Sequence, residues 1–324
     1  MSWRIENRDE RPAEGRARPA GRLKTAALAV YHSTYEPALA LALGRRRIAG
    51  FECAAVGGPP EIAIHPHRGA GCGPGCGFDA GERRRVIERY ALKARGNGAW
   101  DQALGRVSRR LSLTPMAIDL ARFASAADYD AAVKRRSSRT LPKIRKAAKM
   151  GYAAERFSVH AHVYDIHAVR TSMRSRAAGP VLDYWFLKPE DVAKPAVRPA
   201  IWRMPKCPRH WTLWWGVFLP EPGHVQGKVR VDRRLVAYMK LMRIGDVLHY
   251  TDLMGHGEHL GHGVMNLLHD AIIRWLIESE EPLVGGVRVV LYGAAEHGGE
   301  GLLTWKKRAG FEPTRLILAP APGV

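Results

Sequence analysis

From about residue 113 onward, apolar and polar positions fall into short, regular runs. MAIDL (116–120) reads as a strand. Ser125 then stands where a helix N-cap belongs, ahead of AADYDAAV, because its hydroxyl can accept from an early backbone N–H. A second helix is expected after Pro142 and should end before Gly151, a residue suited to a helix C-terminus. Farther on, LWWGVFL (213–219), LVAYMKLMRI (235–244) and VLHYTDLMG (247–255) are strand-like, and Gly245-Asp246 between the last two is hairpin-turn chemistry. From about Gly263 to Ile277 apolar positions run almost all round, with Asn266, Asp270 and Arg274 repeating every four residues, which predicts a mostly buried helix. A strand VRVVLYG (287–293), a short helix around LLTWKKRAG and a last strand RLILA (315–319) complete the order. The later half therefore reads as three antiparallel strands, a buried helix, a strand, a helix and a strand.

The earlier part is less regular. Residues 1–22 are rich in Arg, Pro, Glu and Gly without hydrophobic periodicity, as expected of a flexible basic tail. Residues 23–112 mix an apolar segment, AALAVYHSTYEPALALAL, with the strand-like IAGFECAAV and a glycine run, and are read as a small α/β subdomain ahead of the main domain at 113–324. With 324 residues and 46% apolar composition the chain can bury a substantial core, which excludes disorder throughout. No run approaches the ~18 apolar residues that span a bilayer, and the N-terminus lacks the apolar segment of a secretory signal, so a cytoplasmic protein is expected.

Four cysteines exclude a disulfide scaffold. Cys72 and Cys76 lie in GAGCGPGCG, with His65 and His67 upstream. Structural zinc sites join two pairs at characteristic spacings, and the single residue between these histidines does not fit, so the expectation is no metal and a loop with two incidental thiols. Charge adds more. Lys and Arg outnumber Asp and Glu by 51 to 31, a net charge of +20 that attracts polyanions: nucleic acid, a phosphate-bearing cofactor or an anionic surface. The stretch 134–149 carries eight cations and no acid. Its Arg135, Arg136, Arg139, Lys143, Arg145 and Lys146 are candidate phosphate contacts, because adjacent phosphates relieve the mutual repulsion; a solvated helical face is the alternative.

The element order, together with the closing phrase Gly301-Leu-Leu-Thr-Trp-Lys-Lys-Arg-Ala-Gly-Phe311-Glu-Pro, resembles the GNAT superfamily of N-acyltransferases over roughly 113–320. The basic stretch before Gly151-Tyr152, and Trp305-Lys306 ahead of Gly310-Phe311, look more like the Fem-type branch, whose members take aminoacyl-tRNA as donor. This resemblance implies an α/β (α+β) fold: a GNAT-like mixed, mostly antiparallel sheet flanked by helices, with residues 23–112 as a candidate degenerate half. It also implies an N-acyltransferase with acyl-CoA or aminoacyl-tRNA as co-substrate, no tightly bound cofactor, tRNA as a partner, and an amine-bearing small molecule or peptide as acceptor.

One departure bears on the donor. Acyl-CoA users in this superfamily carry Arg/Gln-x-x-Gly-x-Gly/Ala ahead of the buried helix, and here the stretch is Gly255-His-Gly-Glu-His-Leu-Gly-His262-Gly263. Gly255, Gly257, Gly261 and Gly263, with His262, keep backbone access to an anion, but the arginine is missing. Amine acylation needs a proton acceptor, for which Glu258 and His259 are candidates, and stabilisation of an oxyanion, which the resemblance assigns to Lys306 beside Trp305. His167, Arg170 and Arg174, at spacings of three and four, are expected on one helical face that reads an acceptor's anionic group. Trp202, Trp211, Trp214 and Trp215 read as packing residues, with base stacking the alternative. The same features fit a second class, a non-catalytic tRNA-binding protein on this fold.

Overall fold

Alternation along the strands sorts their side chains onto two faces of one sheet, and each face is covered by a different layer. The computed structural model describes residues 59–67, 69, 71–79, 86, 87, 89–93, 113–176, 179, 180, 186–297 and 299–319. The tail expected at 1–22, and most of the 23–112 segment, lie outside them. The chain divides into units 1–50 and 51–324, and every described residue belongs to the second.

The main elements are, in chain order, β1 (Glu61–Ile64), β2 (Ala91–Lys93), β3 (Pro115–Asp119), α1 (Ala126–Arg136), α2 (Thr140–Lys149), β4 (Ala153–Phe157), α3 (Val163–Thr171), β5 (His210–Pro220), β6 (Arg233–Ile244), β7 (Val247–Gly255), α4 (Val264–Glu278), β8 (Val289–Ala294), α5 (Gly299–Arg308), β9 (Glu312–Pro313) and β10 (Arg315–Leu318). Seven strands form the central sheet in the order β9-β3-β8-β7-β6-β5-β4. Its neighbours are antiparallel except β7 and β8, which run parallel because α4 carries the chain back between them. The mixed, mostly antiparallel sheet and its flanking helices have the order expected from the GNAT resemblance.

Local chemistry sets the element ends. The Ser125 hydroxyl accepts from the Asp128 N–H at 3.2 Å and starts α1. Gly245, at φ +64°, turns β6 into β7, and Gly151, at φ +87°, follows the end of α2. On one face Met116, Ile118, Leu213, Trp215, Val217, Met239, Leu241, Leu248 and Val290 pack against Val264, Leu268, Ile272 and Ile273 of α4. Trp211 and Trp215 meet Trp275 of α4 with ring centroids 5.9 and 5.4 Å apart, so these tryptophans are core. On the other face Ala117, Ile244, Val247, Val289 and Leu291 pack with Ile62, Ile64, Leu316 and Leu318. Ile166 and Val169 of α3 cover Phe157, Phe218, Leu235 and Tyr238 farther along.

The described part of the 23–112 segment is joined to the end of the chain. β1 and β2 flank β10 in a three-stranded sheet, each parallel to it. The smaller sheet and the main one thus share the core layer of β3, β7 and β8.

Candidate functional site

Where β7 and β8 part, two one-residue misfits explain the opening. The parallel pair is joined only at Val247/Val289, Leu248/Val290 and His249/Leu291. Immediately beyond, β7 carries an extra residue against β6: Lys240 faces Asp252 and Leu241 faces Tyr250, leaving Thr251 over. The Thr251 hydroxyl donates to the Lys240 carbonyl at 3.0 Å and holds that bulge. β8 carries its own extra residue against β3 between Leu291 and Ala294, where Gly293 adopts φ +56°. Bulges bend a strand and sharpen its twist. Two at the same height on adjacent strands turn them apart.

The gap is a cavity of about 440 Å³. Leu253, Met254 and Gly255 of β7, Tyr292 of β8, Trp305 of α5, and Gly263, Met265 and Asn266 at the start of α4 form much of its wall. The wall is mainly apolar, and Trp305 is fixed by its indole N–H, which donates to the Asn266 side chain at 2.9 Å. Asn266 is the first of the three polar positions that repeat along α4. Asp270 and Arg274, the other two, pair with each other and, through Arg274, with Asp130.

The first turn of α4 presents backbone N–H groups without intrahelical partners and the positive end of the helix dipole. Gly263 stands before it at φ +87°. A Cβ there would lie 3.1 Å from the Lys143 carbonyl, so glycine lets α2 lie against the helix start. Lys143 itself lines the cavity. The cation at this mouth thus comes from α2, the glycine loop itself carrying no arginine. Arg135, Arg139, Arg145 and Lys146 are exposed on the same α1–α2 stretch. Arg136 departs from the set, since it donates to the Gly310 carbonyl at 2.7 Å and pairs with Glu312.

The glycine loop is folded into a helical turn over Gly257–Leu260. Its Gly257 N–H is taken by the Ser172 hydroxyl at 3.0 Å, and those of Leu260, His262 and Gly263 by loop carbonyls. Gly255 and Gly263 line the cavity; Gly257, Gly261 and His262 do not. His259 and His262 both meet the Tyr152 hydroxyl through Nδ1, at 2.7 and 2.8 Å. Burial, reinforced by His256 and His262, lowers the pKa of His259. His259 adjoins Leu260 of the cavity wall, whereas Glu258 is exposed to solvent.

Lys306 is buried at 1% exposure. Its Nζ donates to the Ala294 carbonyl at 2.8 Å and lies 4.6 Å from the centroid of the Tyr292 ring. Burial lowers its pKa to about 8. It does not line the cavity, whose wall here is Tyr292 and Trp305.

The expected cationic face of His167, Arg170 and Arg174 does not form. α3 ends at Thr171, which leaves Arg174 beyond the helix and exposed. His167 meets the Leu187 carbonyl through Nδ1 at 2.8 Å, and Arg170 is buried against Asp252 of β7. Sequence reasoning missed Asp252. Burial raises its pKa, opposed by Arg170 and Lys240, and Tyr238 donates to it at 3.3 Å. With Arg170 it holds β7 just past the Thr251 bulge. An acid inside a strand-like run was the only sign of it.

No family model matches the chain, and no curated protein matches it. Among solved structures, it is similar to FemX at 11% identity and TM-score 0.42, over 71% of this chain and 72% of that one. A GCN5-related N-acetyltransferase from Kribbella flavida aligns at 13% identity and TM-score 0.30, over 62% of this chain and 54% of that one. A tandem GNAT protein from the clavulanic acid biosynthesis pathway aligns at 13% identity and TM-score 0.33, over 74% and 57%. At these scores the likenesses add no weight to the chemistry of the site, which stands on its geometry.

Proposed function

We propose that this chain is an N-acyltransferase that takes an acyl or aminoacyl group from a phosphate-bearing carrier, acyl-CoA or aminoacyl-tRNA, and passes it to an amine. The observation that carries this reading is the parting of β7 and β8 beside the start of α4. A slot so placed suits an activated carbonyl. Its apolar walls keep water from hydrolysing it, while the α4 N-terminus and Lys143 favour the carrier's negative charge. The amine attacks the carbonyl carbon, the electron pair moves to oxygen, and collapse of that oxyanion expels the carrier's thiolate or ribose oxygen. His259, its pKa lowered by burial and its neighbour Leu260 in the slot wall, takes the amine's proton in this proposal; Glu258 is too solvated to be preferred. Lys306 acts as a positioning residue, holding Tyr292 and the end of β8.

The test offers the purified chain charged tRNA and acetyl-CoA in separate reactions with a panel of amines, and follows release of uncharged tRNA or free thiol. Consumption of one donor supports the reading; if neither is consumed and neither binds, it falls. Salt separates the donors. Affinity for tRNA should drop steeply with salt, and Lys143→Ala should flatten that slope by about one unit. Binding of tRNA without turnover would move the chain to the non-catalytic class.

A further inference from the structure

We propose that Cys72, Cys76, Cys207 and His210 bind a structural zinc ion that ties the 71–79 loop to the start of β5. The two cysteines of the glycine run meet neither His65 nor His67. His65 is bonded to Asp246 through both its backbone N–H and its ring, and the His67 ring meets the Ala319 carbonyl at 2.8 Å. Instead the fold brings up Cys207-Pro-Arg-His210, more than 130 positions away, as a second pair at metal-ligand spacing.

The distances are those of a tetrahedral site. From His210 Nδ1, the sulfurs of Cys72, Cys76 and Cys207 lie at 3.4, 3.5 and 3.7 Å, and Cys72 and Cys207 are 4.0 Å apart. An ion with Zn–S of about 2.3 Å and Zn–N of about 2.0 Å separates its ligand atoms by about 3.5–3.8 Å. The three sulfurs are not joined as disulfides. A donor set of three soft thiolates and one imidazole selects zinc over hard cations.

The surroundings are built to the same end. Tight turns place both loop cysteines, the Cys72 N–H bonding the Gly69 carbonyl at 3.1 Å and the Cys76 N–H the Gly73 carbonyl at 3.0 Å. Cys207 and His210 are buried, and the Phe78 ring packs on the imidazole at a centroid distance of 4.2 Å. Between them, the Pro208 carbonyl accepts from Trp211 at 3.0 Å and from Arg243 at 2.9 Å. Three thiolates around a divalent ion leave one negative charge. Arg243, fully buried and bonded to carbonyl oxygens at Pro208, Gly245, Leu283 and Gly285, places a positive charge beside the residue that follows Cys207. Four protein ligands leave no open position for substrate. The site also sits at the β6–β7 turn, where His210 pairs with Ile244, about 25 Å along β7 from the slot. Its role is therefore to hold the fold, with up to three thiol protons released on binding.

The test measures zinc in the full chain purified without chelator. About one zinc per chain is expected, falling at least about tenfold in Cys76→Ser and Cys207→Ser while His65→Ala keeps it. Because a cysteine variant can fail to fold, cobalt(II) is also titrated into wild-type chain stripped of metal. One equivalent should bring up thiolate-to-cobalt charge transfer and the intense visible bands of a tetrahedral ion. Absence of zinc together with no thiolate band, or zinc retained in both cysteine variants, overturns the proposal.

Discussion

At its Val247 end, β7 pairs with both β6 and β8; at its Gly255 end its strand partner among the described residues is β6, and it faces the cavity. At the fastened end the Gly245 N–H donates to the Arg209 carbonyl, Arg243 bonds four carbonyls, and Asp246 holds His65. At the other end apolar side chains line the gap, and Arg170 and Tyr238 hold β7 from the side through Asp252. Substitutions near the turn should therefore change stability, and substitutions near the slot should change turnover or binding with smaller losses of stability.

The sharpest way to break this contrast is Gly245→Ala. Its Cβ would lie 2.0 Å from the His65 carbonyl oxygen at a positive φ, so backbone must move. Urea unfolding should show a loss of more than about 4 kcal/mol. Next, Arg243→Met strands several buried carbonyls and should cost about 3 kcal/mol in the same measurement. Gly263→Ala, at the open end, strains a left-handed residue against Lys143 and should cost only about 1–2 kcal/mol. Its donor affinity should nevertheless fall at least about tenfold, because α2 must shift from the α4 start. A large stability loss with unchanged donor binding would contradict the division of labour.

A further effect is set by pH. Lys306 has its pKa lowered to about 8 from the ordinary 10.5, so between those values the unfolded chain holds a proton that the folded chain has released. Stability from this group should rise as pH climbs through that window, the burial penalty being fully present below about 8. Lys306→Met should flatten the rise, measured by urea unfolding across pH.

From β3 onward most of the element order could be read directly, because the periodicities are local and punctuated by Ser125, Gly151 and Gly245; the edge strands β4 and β9, short and without an apolar run, were not. What escaped depends on distance along the chain. The parallel pairing of β1 with β10 joins residues some 250 positions apart, and Cys72 and Cys76 find their partners near residue 210. Neither is encoded in a neighbouring pattern. Arg174 was misplaced for a local reason: the spacing fits a helix, but α3 stops at Thr171. Lys306 heads the run Lys306-Lys307-Arg308, whose second and third cations are exposed while the first is buried, a difference that composition does not mark. Residues 1–58 and 94–112 lie outside the described residues.

The opening in the sheet is at root an arithmetic mismatch: one surplus residue in β7 and one in β8, against partners that lack them. Removing the surplus residue from either strand would bring its ladder back into step, with the residues beyond it keeping the partners they have now. A pocket made this way is set by strand length before side-chain identity, so a lineage could acquire or lose it by a one-codon insertion or deletion while the residues of the wall stay as they are.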